Sequence, residues 1–216
     1  MRLFLLILIG FLFHSTQAQF FNSIGVKSGL VIANQDYRFK SGNQSLDTKD
    51  RTGVYVGLQT EMLKKKYFSL AIDLGYIQKG RQDEIEETSV DNPEGTGNYT
   101  TYDYRYDILS FSPSAKFRLP LNKFAPYAFA GPRLDYVMGV KDDPALYHPS
   151  PRSRTTTFGA SYGLGLSYEL QQIGFLIEFQ HQPDFTPILN LGSSTQGLEG
   201  TNEAFILSFG ISYLLQ

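Results

Sequence analysis

Charged side chains recur at every second position within otherwise apolar stretches, and these are the first residues to weigh for chemistry. Lys27, Glu61, Asp73, Lys116, Arg118, Arg133, Asp135, Glu169 and Glu178 each fall on the small or polar face of a segment whose other face is apolar. Successive side chains of a pleated strand point to opposite faces, so these residues gather on one side of whatever sheet the segments build. Charges confined together persist only when paired and hydrogen-bonded. Lys116 or Arg118 is the expected partner of Glu61 or Asp73.

Other constellations carry less. Residues 159–163, GASYG, match the G-x-S-x-G pattern of a nucleophile elbow. That elbow needs a strand, a sharp turn and a helix, whereas Ser161 lies in an uninterrupted alternating segment. His181 stands near Asp184, so the two with a loop serine form the alternative reading of a barrel enzyme acting on lipid or acyl groups. The acidic run at residues 83–94 could bind a divalent cation or a basic partner, but such runs are ordinarily just solvated. Lys141, Arg152 and Arg154 could touch lipid phosphates. No metal-ligand spacing occurs, no cofactor is expected, and a balance of 19 Lys and Arg against 21 Asp and Glu argues against nucleic acid.

The elements that must position the charges are read from period-two alternation. In residues 67–80, Phe68, Leu70, Ile72, Leu74 and Tyr76 share one face, and Ser69, Ala71, Asp73 and Gly75 the other. Comparable segments run over 24–33, 51–62, 102–118, 125–138 and 155–169, then from 173 and through 205–213. Leu164, Phe175, Ile177, Leu207 and Phe209 lie on their apolar faces. Pro113 removes a ladder donor and predicts an irregular point; Gly131 and Pro132 interrupt the next segment.

Between the segments, long polar connections (34–50, 81–101, 139–154, 182–202) alternate with short ones. An even-stranded up-and-down barrel has this rhythm, with tight turns on one side of a membrane and long loops on the other. The polar set is rich in Gly and small residues, which suits a narrow lumen filled by side chains and suits a soluble ligand-binding barrel poorly. Residues 1–18 begin with Arg2, continue with an apolar run from Leu3 to Phe13 and end at Ala18, as a secretory signal peptide cleaved before Gln19 does. The run is shorter than the roughly 20 residues of a membrane helix, and the absence of Cys excludes both a lipoprotein anchor and a disulfide framework. The expectation is a signal peptide at 1–18 and, at 19–216, an all-β, eight-stranded antiparallel transmembrane barrel in the outer membrane of a Gram-negative bacterium. It is expected to be non-enzymatic, to contact outer-membrane lipid, and to bind surface or secretion proteins through its long loops; a small pore is the other alternative.

Several segments together resemble the PorT-like outer-membrane β-barrel family of Bacteroidota: GVKSGL at 25–30, SLAIDLGYIQKG at 69–80, LSFSPSAKF at 109–117, PYAFAGPRL at 126–134, GLGLSYE at 163–169 and GISY at 210–213. They fall in the family's order over nearly all of residues 19–216. The chain departs from it at Asp73, where the family usually has Glu, and at its end, Leu215 and Gln216 rather than an aromatic residue. The resemblance implies outer-membrane residence and eight strands, and one branch is linked to protein secretion and surface attachment.

Overall fold

The computed structural model describes residues 20–39, 45–46, 48–87, 95–141, 154–191 and 198–215. The signal-peptide segment lies outside them. Ten strands follow in order: β1 (Phe21–Phe39), β2 (Ser45–Leu46), β3 (Arg51–Met62), β4 (Phe68–Glu86), β5 (Tyr99–Arg118), β6 (Phe124–Lys141), β7 (Thr156–Leu170), β8 (Ile173–Pro183), β9 (Leu189–Leu191) and β10 (Leu198–Leu214). The eight long ones pair antiparallel with their chain neighbours, and β1 pairs with β10, from Ser23↔Leu214 to Phe39↔Leu198. That last ladder closes the sheet, so the spanning wall has no edge. β2 and β9 are short additions to the far ends of β1 and β10.

Alternation decides which face looks out. On β3, Val54, Val56 and Leu58 are exposed while Tyr55 and Gln59 are buried; on β10, Phe205, Leu207, Phe209 and Ile211 are exposed while Ala204, Ile206 and Ser208 are buried. The apolar residues therefore cover the outside, the reverse of a soluble barrel. The three short turns each hold one non-glycine residue at positive φ: Leu63 at 49°, Asn122 at 59° and Gln171 at 53°. A left-handed residue lets the chain reverse within a few residues, and only Asn122 is a type that takes this conformation readily.

Strands run further than the apolar alternation predicts. β1 continues to Phe39, β4 to Glu86, and β5 starts at Tyr99, whereas residues 34–50 and 81–101 read as loops. Outward side chains there are Asn34, Asp36 and Arg38, so the apolar period stops while the backbone ladder goes on. At Pro113 no register shift occurs. Pairing is the same at Phe111↔Leu134 and Ala115↔Ala130, the residues between, with Pro113 and Pro132, simply leave the ladder, and the one β5–β6 register shift falls at Asp107/Ile108.

Inward glycines make room for rings. A Cβ on Gly165 would lie 2.4 Å from the Tyr127 ring, and one on Gly75 2.5 Å from the Tyr55 ring. The small inward face of the sequence is thus what lets large tyrosines lie across a narrow barrel.

Candidate functional site

Inward side chains meet across the barrel in successive layers. Nearest the short turns, Arg118 on β5 contacts Glu61 on β3 and donates to Ser69 Oγ at 2.8 Å. Lys64 contacts Glu169, which stands 3.9 Å from the Arg118 guanidinium. Glu169 keeps 39% of its side-chain surface exposed, so it belongs to the rim rather than to the buried interior. Beside this layer is a cavity of about 30 Å³ lined by Gln59, Arg118, Ser167 and Ser212, room for one or two waters.

The charged groups of the next layer come from four strands. Lys27 Nζ on β1 lies 2.7 Å from Asp73 Oδ1 on β4 and 2.6 Å from Glu178 Oε2 on β8. Lys116 Nζ on β5 lies 3.0 Å from Glu178 Oε1, to which Tyr127 donates its hydroxyl at 2.7 Å. The Tyr127 ring lies under the Lys116 ammonium at 4.6 Å. Tyr55 donates to Asp73 Oδ1 at 3.4 Å. Two cations face two carboxylates, and the layer is neutral.

A second neutral set follows. Lys79 Nζ reaches Asp135 Oδ2 at 3.0 Å and Asp184 Oδ1 at 3.4 Å. Arg133 Nε is 3.1 Å from Asp135 Oδ2, and the same guanidinium contacts Asp184. All four side chains are essentially without solvent exposure. Burying such charges is tolerable only in balanced, hydrogen-bonded groups like these.

Towards the long connections the interior turns apolar, with Val31, Ile77, Ile108, Val137 and Ile206 buried together. Ile188, from the segment after β8, is fully buried among them, and its backbone is held by bonds to Gly200 and Arg154. At the mouth, the Arg81 guanidinium sits 4.6 Å from the Tyr37 ring and 4.1 Å from the Tyr104 ring, and donates to Gln35 Oε1 at 2.7 Å. Burial pushes the Tyr37 hydroxyl up, against the pull of Arg81.

Arg118 meets Glu61, whereas Lys116 goes to Glu178 rather than to Glu61 or Asp73. Phe68, Leu74, Leu164, Ile177, Leu207 and Phe209 are exposed on the outer face; Leu70, Ile72 and Phe175 share that face, partly covered by neighbours. Ser161 is buried inside β7 and accepts from Gln180, with no turn or helix around it. His181 and Asp184 do not form a pair. His181 is on the outer face, bonded to Tyr162 at 2.7 Å and to Glu203, while Asp184 is inside with Arg133 and Lys79. Opposite faces of one strand keep them apart.

In the acidic run, Asp83 accepts from Arg81 at 2.9 Å and Glu84 pairs with Lys49; residues 88–94 lie outside the described residues. Lys141 and Arg154 are exposed, and Arg152 lies outside the described residues. Sequence reasoning missed Lys79 and Asp184 as interior charges. Parity was the available signal, since Lys79 shares the face of Asp73 and Asp184 that of Glu178.

A family model described as "Outer membrane protein beta-barrel domain" matches residues 4–212. Among solved structures, the outer membrane protein OprG from Pseudomonas aeruginosa is 10% identical with a TM-score of 0.55, over 91% of this chain and 98% of OprG. Neisserial surface protein A is 14% identical with a TM-score of 0.48, over 89% of this chain and 97% of its own. At 10% identity the likeness to OprG is one of fold. No curated protein matches the chain in sequence.

Proposed function

The chain belongs to the outer membrane protein beta-barrel domain family and resides in the outer membrane of a Gram-negative bacterium, and from that premise we propose that it is a filled, non-conducting, non-enzymatic barrel that works through its long-connection end. That end faces the cell surface, as it does in barrels of this construction, and there it binds or scaffolds other surface or secretion components. The observation supporting this reading is the stack of neutral ion-pair layers across the spanning segments, Lys27–Asp73–Glu178–Lys116 followed by Lys79–Asp135–Asp184–Arg133. An eight-stranded barrel has an interior that side chains can fill, and here the buried Lys27, Arg133 and Glu178 lie across it. We place the chain with the PorT-like branch on the ordered motifs of residues 25–213, and its outward Leu, Ile and Phe side chains against lipid.

Planar-bilayer recording of the purified barrel tests the reading. No steady conductance is expected; a reproducible open channel would overturn it.

A further inference from the structure

The two ends of the barrel treat their charges differently. At the long-connection end, Arg38, Lys49, Arg51, Arg81 and Arg105 each face a carboxylate, those of Asp36, Glu84, Asp103, Asp83 and Asp107 in turn. At the short-turn end, five cations (Lys64, Lys65, Lys66, Arg118 and Lys123) meet two carboxylates, Glu61 and Glu169, among the described residues. Arg118 and Lys64 take both. Lys65, Lys66 and Lys123 are exposed, and among the described residues no carboxylate pairs with them.

Their turns hold these three lysines in place. Lys65 N donates to Phe68 O at 2.7 Å, and Leu121 and Phe124 exchange both backbone bonds around Asn122 and Lys123, at 2.7 and 3.1 Å. Glu169 N donates to Lys123 O at 3.0 Å, which ties that turn to β7. Lys66 stands at the entry to β4 and Lys123 at the entry to β6. Only β5 lies between, so at the spacing of neighbouring strands the two turns are about 10 Å apart. On the outer face beside them, Phe68 is opposite Phe117 in register, and the Phe124 ring is 4.8 Å from that of Tyr168. These rings form an arc from β4 to β7, and Lys66 Nζ lies 5.0 Å from the Tyr67 ring at its edge. An aromatic girdle marks the level of the lipid headgroups, and lysine stems reach along apolar surface to set their ammonium groups there.

We propose that the short-turn end is a binding site for anionic phospholipid headgroups of the periplasmic leaflet, with Lys65, Lys66 and Lys123 on the phosphates and the acyl chains along the aromatic arc. This rests on the reading that sets the long connections at the cell surface, and adds a partner of stated charge at the opposite end. A zwitterionic headgroup brings its own ammonium and leaves the three cations unmatched. A headgroup of net negative charge matches them, each lysine near such a surface being worth about fivefold in affinity.

The test uses the full barrel in phosphatidylcholine nanodiscs containing rising mole fractions of phosphatidylglycerol, followed by NMR shifts of its lysine and arginine residues. A nanodisc offers the same lipid to both ends, so any preference belongs to the protein. Shifts at Lys65, Lys66 and Lys123 are expected to saturate at a mole fraction at least tenfold lower than those at the paired Arg38 and Lys49. Replacing all three (Lys65→Gln, Lys66→Gln and Lys123→Gln) abolishes that difference and leaves heat-modifiable migration normal, because none of them pairs inside the barrel. Equal saturation at both ends overturns the inference, as does a triple variant that saturates like the unaltered chain. Shifts reproduced by inorganic phosphate alone also overturn it, since the ligand is then a free anion. Orientation is read separately. Pro120→Cys, in the exposed turn before β6 of a chain without cysteine, should resist a membrane-impermeant maleimide in intact cells and react once the outer membrane is opened. Labelling in intact cells would overturn the surface reading and the choice of leaflet, whereas the nanodisc titration bears on the headgroup site alone.

Discussion

Lys27 and Glu178, 151 residues apart in the chain, meet at 2.6 Å in the middle of the barrel. Glu178 also holds Lys116 and accepts from Tyr127, so one carboxylate anchors side chains of β1, β5 and β6. Removing it leaves two buried ammonium groups with a single carboxylate. Glu178→Leu is expected to lower unfolding stability by about 3 to 5 kcal/mol, read by urea titration in lipid vesicles. Lys116→Met leaves two buried carboxylates sharing Lys27 alone, so a loss of the same order is expected.

Asp184 and His181 give opposite expectations. Asp184→Ala strips Arg133 and Lys79 of a shared partner inside the barrel, so a loss of about 3 to 5 kcal/mol follows. His181→Ala removes an outer-face group bonded to Tyr162 and Glu203 and should change stability by about 0 to 1 kcal/mol, as surface pairs do. Thermal loss of heat-modifiable migration compares the two directly. An equal effect would mean that the faces of β8 are assigned wrongly.

Ile72 lies on the outer face of β4, opposite Thr60 on β3 and Pro113 on β5. Ile72→Arg near the middle of the spanning segment is expected to cost roughly 2 to 4 kcal/mol. The same substitution at Ile85, exposed near the end of β4 beyond the apolar band, should be close to neutral. Equilibrium unfolding of both variants in one lipid decides it.

Gly165→Val drives a side chain into the Tyr127 ring, where even a Cβ stands at 2.4 Å. Overpacking of this kind costs about 1 to 3 kcal/mol. Tyr127→Phe should not relieve it, because the ring remains, whereas Tyr127→Ala in the same chain should recover part of the loss. A double-mutant cycle on unfolding stability measures the coupling.

Much of the barrel was legible because one periodicity is imposed by two solvents. Where lipid meets the wall, as at Phe68 to Leu74 or Phe205 to Ile211, the outside must be apolar and the inside is released from that demand, so parity reads directly off the chain. Beyond the apolar band that signal ends. Asp36, Arg38 and Glu84 sit in strands as sound as any other, yet their water-facing side chains carry no period. The interior was harder, since parity tells that Lys116 points inward without telling which strand's carboxylate it reaches. That choice depends on strand stagger, and it sent Lys116 to Glu178 on β8. Asp184 reads only as a neighbour of His181, because residues 182–202 look like a loop, although the backbone carries the inward parity of Glu178 on through Gln182 to Asp184.

The neutral layers also bear on how the barrel is assembled. No single hairpin is electrically complete: Lys27 enters with β1 near the start of the chain, Asp73 arrives with β4, and Glu178 only with β8. Until the β1–β10 ladder forms, Lys27 has at most part of its final neighbourhood, and an open sheet would show it to hydrocarbon. Ring closure and charge neutralisation are therefore one event. The nascent wall must keep its concave side wet, or held by an insertion machine, up to the moment the last strand finds the first.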